Sequence, residues 1–315
     1  MTPMALWSLG SGEAKLQEAR DGDGVLVRML YSGISRGTER LVFEGRVPAS
    51  QHESMRCSGQ EGQFNFPIKY GYCAVGEVQE GELKGKKVFT LHPHQDQFRV
   101  SMDMLHVLPT ELPVGRAVLA ANMETAVNVV WDSEVALGDR VLVIGAGAVG
   151  TLVAYLISHI PGVDLTLVDQ NPSREKVAAS LGIRFALPAN APLDCDVVIH
   201  ATGSEAGLNP AIVSGGNQAR IVEASWYGEG SQSVSLGGAF HDRRLTLISS
   251  QVGSIPASKA PRWTYRRRMS KALELLLDSK LDVLISGESS FEDLARDYPA
   301  ILASPETLCH RVRYQ

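Results

Sequence analysis

Three glycines carry the clearest chemistry in this chain of 315 residues. Gly145, Gly147 and Gly150 form a G-x-G-x-x-G spacing between the apolar run RVLVI at 140–144 and the helical pattern AVGTLVAYLISHI at 148–160. The first glycine permits a tight turn, the second lets a pyrophosphate approach the backbone, and the third lets helix and strand pack closely. The helix then opens with Ala148 and Val149, whose turn offers unpaired N–H groups and a positive dipole to phosphates. Asp169 closes the next strand-like run, DLTLVDQ, 169 − 150 = 19 residues after the last glycine. A carboxylate there accepts hydrogen bonds from a ribose hydroxyl pair and repels a 2′-phosphate. Motif, spacing and setting together predict a dinucleotide site that takes NAD. Arg174 stands five residues further on and could serve a 2′-phosphate, but it reads better as an exposed helix arginine.

A second set of chemistry-bearing residues is His92, His94 and Asp96 in LHPHQD. On an extended strand, His-x-His points both rings to one face. The plainer reading is a polar loop with solvated histidines, since a good metal site needs three or four convergent ligands. A third set is the basic run Arg262, Arg266, Arg267 and Arg268, with Trp263 and Tyr265 interleaved. Arginine plus aromatic side chains can bind nucleic acid. The chain is acidic, however, with 30 Lys+Arg against 35 Asp+Glu and a net charge of −5. That balance excludes a general polyanion binder. The run is expected to be a solvated helix start or a subunit contact; binding of an anionic substrate is a third reading.

These residues need elements to hold them. Residues 1 to about 120 read as strands and turns, including VLVRML at 25–30, AVGEVQ at 74–79, KKVFTL at 86–91 and QFRVSM at 97–102. AVLAANMETAVNVVWDS, from 117, has apolar residues at helical spacing. Strand-like and helical runs then alternate: after DLTLVDQ come SREKVAASLG, DVVIHATG, EAGLNPAIVS, ARIVEAS and LTLISSQ. Apolar strands alternating with helices indicate a parallel sheet covered on both faces. Thr202, Gly203, Trp226, Tyr227, Ser250 and Gln251 follow such strands. They fall where loops line a ligand crevice. The tail returns to mixed character, with a helix in RRRMSKALELLLDS, a strand in LDVLIS, a helix in FEDLARDYPAILAS and a strand in CHRVRY.

The stretch from Val141 to Val163 has no Asp, Glu, Lys or Arg, yet its glycines and Pro161 suit a strand, a turn and a buried helix better than a membrane span. Four scattered cysteines, Cys57, Cys73, Cys195 and Cys309, form no C-x-x-C pair and suit a reducing cytoplasm. No secretory signal pattern opens the sequence.

The order of parts, with SGISRGTE at 32–39, KYGYCAVGEV at 69–78 and the GAGAVG helix, resembles the medium-chain dehydrogenase/reductase superfamily of the alcohol dehydrogenase type. SGISRGTE and NMETA are similar to the branch that contains bacteriochlorophyllide hydroxyethyl dehydrogenases. The resemblance implies an α/β chain: a GroES-like β-rich catalytic domain (1–120 and 254–315) and a Rossmann doubly wound parallel sheet (121–253). It implies an active site in the cleft between them and a homodimer through the Rossmann sheet edge, near 219–251. It also shows departures. Zinc members typically carry a cysteine where Ser35 stands and Gly-His-Glu where Gly71-Tyr72-Cys73 stands. They often carry a cysteine or an acid where Ala121 or Asn122 stands, and the structural-zinc lobe is missing. Ordinary zinc catalysis is therefore not expected, although His92, His94 and Cys73 leave a non-standard metal site open.

Without zinc, the resemblance assigns the chemistry to side chains. Tyr72 replaces the lost histidine ligand and becomes the candidate hydrogen-bond donor. Thr38 and Glu39 lie in the segment that supplies a hydroxyl relay. With no gap in that segment, Arg36 matches a position that contacts cofactor phosphates; with a gap, Thr38 is the relay hydroxyl. Thr202, Gly203 and Trp226 join the candidate cofactor residues, Trp226 by backbone contact with the nicotinamide. The expected activity is NAD(H)-dependent hydride exchange with a small alcohol or carbonyl substrate. A dinucleotide-binding sensor without catalysis, or a quinone or enone reductase, is the alternative. No nucleic acid or membrane partner is expected.

Overall fold

A computed structural model describes residues 2–315. The chain divides into two compact units, Met1–Ala121 with Met269–Gln315, and Asn122–Arg268. Residues 254–268 thus group with the middle of the chain.

The second unit holds six strands: β1 (Arg140–Ile144), β2 (Asp164–Val168), β3 (Phe185–Ala186), β4 (Cys195–His200), β5 (Gly215–Glu223) and β6 (Thr246–Ser249). Every pairing is parallel, in the order β3-β2-β1-β4-β5-β6. Val143 lies between Leu167 and Ile199, in register with both. Successive residues Val141, Leu142 and Val143 are all fully buried, so both faces of β1 are covered. This is why the central strands read as unbroken apolar runs. The connecting helices are α1 (Ala148–Ser158), α2 (Arg174–Ser180) and α3 (Glu205–Ser214). Strand order reverses between β1 and β4, the switch point where such sheets take ligands.

The first unit is built on a seven-stranded and a four-stranded sheet. Its axis is the long strand Val25–Ser35. That strand pairs antiparallel with Ala74–Val78, Gln97–Val100 and the C-terminal Cys309–Arg313. The core beneath includes Val27, Met29, Phe98, Leu294, Tyr298 and Val312. Two sequence readings shift. The strand expected at 25–30 runs on to Ser35 because SGIS finds a ladder partner far along the chain. The LDVLIS run instead forms a 3₁₀ segment, Ser279–Leu284, before the strand Ile285–Ser290. Leu281 and Leu284 are both fully buried, and the i, i+3 spacing puts them on one face of such a turn.

The basic run is also split. Arg262, Arg266 and Arg267 are exposed, but Arg268 is 2% exposed. Its guanidinium bonds Glu124 Oε1 at 3.1 Å, Asn128 Oδ1 at 2.5 Å and the Val252 carbonyl at 2.6 Å. Arg267 stacks over Trp263, 4.0 Å from the ring centre. Arg268 is a core residue of the second unit, not part of a solvated helix start. Among the described residues, no helix is long and apolar enough to cross a membrane.

Replacing Arg268 by Leu is expected to destabilise the protein by about 3–5 kcal/mol, because Glu124 is left buried without its cation. The double change R268L/E124L should recover most of that loss. Urea unfolding of the native protein and the two variants measures it; an R268L cost below about 0.5 kcal/mol would contradict the buried pair.

Candidate functional site

In the second unit, β1 ends at the glycine turn. Gly145 has φ +110°, in the region that favours glycine. A Cβ on Gly145 would lie 2.7 Å from the Ala201 carbonyl oxygen. A Cβ on Gly150 would overlap the Gly145 carbonyl oxygen, so the third glycine is needed for helix–strand contact. Around Gly147 there is nothing within 4 Å of such a Cβ. The space before the N-terminus of α1 is therefore open to a phosphate. Asp169 follows β2 and bends toward the turn. Its Oδ2 accepts from Ala146 N at 2.7 Å and its Oδ1 from Asn171 N at 2.8 Å. Arg174 is 6% exposed, not the exposed helix arginine expected.

Thr202 and Gly203 follow β4, and Ser225, Trp226 and Tyr227 follow β5. Gly203 N donates to Ser225 Oγ at 3.1 Å, which joins the two loops. Behind them lies a histidine–carboxylate pair that the sequence reading passed over. His200 Nδ1 is 2.7 Å from Glu223 Oε2, and its Nε2 is 2.8 Å from Thr202 Oγ1.

In the first unit, the helix Arg36–Phe43 places Thr38 and Glu39 beyond the end of the central strand. Glu39 is fully buried. Its Oε1 accepts from Ser35 N at 2.7 Å. Its Oε2 accepts from Tyr298 OH at 2.8 Å and lies 2.9 Å from His94 Nε2. His94 Nδ1 reaches Ser32 Oγ at 2.7 Å, and Ser32 reaches Tyr314 OH at 2.9 Å. Tyr72 is hydrogen-bonded with the side chains of Ser35 and Thr38. Burial holds its phenol above the usual range, and the thiol of Cys73 and Glu39 push the same way. Tyr72 and Glu39 are thus both tied to Ser35, and Thr38 joins through Tyr72. Arg36 donates from Nε to the Leu302 carbonyl at 2.9 Å.

His92 and His94 do not share a face. Residues 91–94 are irregular rather than extended, with Pro93 between the rings. Neither ring is solvated, at 4% and 1% exposure. His92 stacks on Phe98, with ring centres 3.7 Å apart, while His94 serves Ser32 and Glu39. Asp96 is occupied by Met4 N and Gln97 N.

Both units have counterparts of known structure. The chain superposes on 2R,3R-butanediol dehydrogenase from Bacillus subtilis with a TM-score of 0.78, covering 99% of each chain at 18% identity. L-idonate 5-dehydrogenase from Escherichia coli gives 0.79, covering 99% of this chain and 98% of that one at 14% identity. This is the medium-chain alcohol dehydrogenase fold. Among curated proteins, D-guloside 3-dehydrogenase of Escherichia coli is 26% identical over 197 residues, 58% of this chain and 53% of that protein. The chain spans about half the length of the curated relatives it matches. No family model matches it.

Within this medium-chain fold, the donors present do not fit the usual zinc site. Ser35 and Tyr72, which the resemblance sets where thiolate and imidazole ligands are expected, offer hydroxyls. Burial, reinforced by Cys309 and Glu39, keeps the Cys73 thiol well above its usual range, so it stays protonated. Glu39 and His94 direct their ligating atoms at each other. Among the described residues, no three of His, Cys, Asp and Glu converge as metal ligands.

The buried ring of His92 predicts an acid sensitivity. Burial, with help from the charge of Lys69, pushes its pKa from 6.5 down to about 3. The folded state then binds fewer protons than the unfolded chain between those values. Stability is full above pH 6.5 and falls as the pH drops toward 3, by on the order of 5 kcal/mol in total. In H92L this contribution to the acid slope should disappear. Parallel unfolding curves for the variant and the native protein from pH 7 to pH 4 would refute it.

Proposed function

We propose that the protein is an NAD(H)-dependent oxidoreductase that exchanges hydride between nicotinamide and a secondary alcohol or ketone. The observation that carries this is Asp169, held beside the open glycine turn by Ala146 N and Asn171 N. A carboxylate fixed there favours ribose hydroxyls over a 2′-phosphate. Gly145, Gly147, Gly150 and the first turn of α1, with Ala148 and Val149, would cradle the pyrophosphate. Thr202, Gly203 and Trp226 would border the rest of the dinucleotide, with Arg36 a further phosphate contact. Relatives named as butanediol, idonate and guloside dehydrogenases support a substrate with a secondary hydroxyl.

Bound NAD would supply nicotinamide C4 as the hydride acceptor or donor. The chain's own residues handle the substrate oxygen. Tyr72 keeps its proton near neutral pH because burial holds its pKa up. Hydroxyls of Ser35 and Thr38 donating to the phenol oxygen leave that proton for the substrate. Tyr72 thereby polarises the carbonyl or stabilises the alkoxide, and Thr38 acts through the phenol. Glu39 fixes the Ser35 backbone beneath them. No step in this reading runs through a metal. A homodimer through the edge strand β6 and a reducing cytoplasm complete it; the half-exposed edge and the four free thiols support these two points.

Two substitutions test the reading on secondary alcohols, polyols and ketones, followed by NADH absorbance. Tyr72→Phe should lower kcat roughly 100-fold with NADH affinity unchanged; unchanged turnover removes Tyr72 from the chemistry. Asp169→Ser should shift preference toward NADPH by about tenfold or more. A native protein that already prefers NADPH would overturn the cofactor assignment.

A further inference from the structure

The histidine–carboxylate pair of the second unit lies at the sheet edge where ligands are taken. His200 is fully buried at the end of β4, and Thr202, two residues on, is exposed. Glu223 Oε2 receives the Tyr227 hydroxyl at 2.9 Å as well as His200 Nδ1, and Glu223 Oε1 accepts Ser225 N at 2.8 Å. Burial works against the Glu223 charge, but hydrogen bonds from His200 and Ser225 outweigh it, and the carboxyl lies below its ordinary range. An ionised Glu223 takes the Nδ1 proton of His200. In the Nδ1–H tautomer that this pairing favours, Nε2 carries the lone pair and Thr202 Oγ1, 2.8 Å away, is the donor to it. The other acceptor in reach, the Ser204 carbonyl, is more distant at 3.3 Å. Ser204 N donates to Thr202 Oγ1 at 2.9 Å and fills one acceptor position. One lone pair of Thr202 remains.

That lone pair is next to the glycine turn. A Cβ on Gly145 would lie 3.0 Å from Thr202 Cγ2. The ring that sets its polarity is fixed from behind, because a Cβ on Gly207 of α3 would overlap His200 Nε2. None of these groups has a part in the hydride step described above.

We propose that His200, Glu223 and Tyr227 lock Thr202 as an obligate hydrogen-bond acceptor, which selects an N–H or O–H donor on the nicotinamide half of the dinucleotide. The proposal rests on the NAD reading. His200 is a positioning residue, acting through Thr202. The nicotinamide half presents two such donors, the carboxamide NH2 and the ribose hydroxyls.

Calorimetric titration of the full chain with NADH, NAD and deamido-NAD tests it. Thr202→Val should weaken NADH binding about tenfold, the scale of one lost hydrogen bond, and Thr202→Ser should restore it. If the donor is the carboxamide, the native protein rejects deamido-NAD about tenfold or more and T202V loses that discrimination. If the donor is a ribose hydroxyl, deamido-NAD binds as NAD does and T202V weakens both alike. His200→Gln offers Thr202 an amide N–H, so it should match T202V, and the double variant H200Q/T202V should be no weaker than T202V alone. Additive losses would make His200 merely structural and overturn the lock. Should H200Q not fold, Gly207→Ala displaces the same ring and replaces it in the cycle. Native affinity in T202V overturns the proposal while leaving the NAD reading intact. A native protein that binds no dinucleotide overturns both.

Discussion

A carboxylate with no access to water has to be paired completely, and Glu39 imposes that demand on the first unit. Three donors meet it: a backbone N–H from Ser35, the His94 ring and the Tyr298 hydroxyl. An unpaired buried charge costs far more than any one of these bonds returns. The demand therefore fixes where three stretches of chain run. The central strand must end at Ser35, the loop after Thr90 must bring in His94, and the C-terminal helix must present Tyr298. Ser32 and Tyr314 extend the same chain of hydrogen bonds from the far side of His94. Tyr72 takes its position from the end of this network, through Ser35.

This dependence explains what could be read in advance. The glycine turn was legible because its meaning is local: three glycines, one strand, one helix and an acid at a fixed distance. Strand, turn, helix and acid all fall within residues 140–169, and Gly150 has its steric reason inside the motif, against the Gly145 carbonyl, although Gly145 also packs against Ala201. The parallel sheet was legible for a related reason, since strands buried on both faces must be apolar throughout. Glu39 was singled out by resemblance, but its partners were not, because His94 and Tyr298 lie 55 and 259 residues away. Sequence spacing carries no signal over such separations. His92 and His94 misled for the opposite reason. Their spacing suggested one shared face, and Pro93 with an irregular backbone gave each ring a different neighbour.

The two units meet related demands with related parts. Each contains a histidine bonded to a carboxylate and, on its other nitrogen, to a hydroxyl: Glu39–His94–Ser32 in one and Glu223–His200–Thr202 in the other. In the first unit the outer hydroxyl is buried and the chain closes on Tyr314. In the second the outer hydroxyl is exposed. Similar chemistry thus serves cohesion in one place and presents a directed polar atom in the other.

Asp169 couples two properties that are usually separable. Its two oxygens already hold the Ala146 and Asn171 backbones, so the turn is assembled before any ligand arrives and little freedom is left to lose on association. The same side chain is the natural point of change for a lineage moving toward a phosphorylated cofactor. Losing the acid there would also release the Ala146 N–H from its partner. On the NAD reading, exchanging that acid for a phosphate-accepting residue therefore loosens the turn while it changes selectivity, and a second anchor for the Ala146 N–H would separate the two effects.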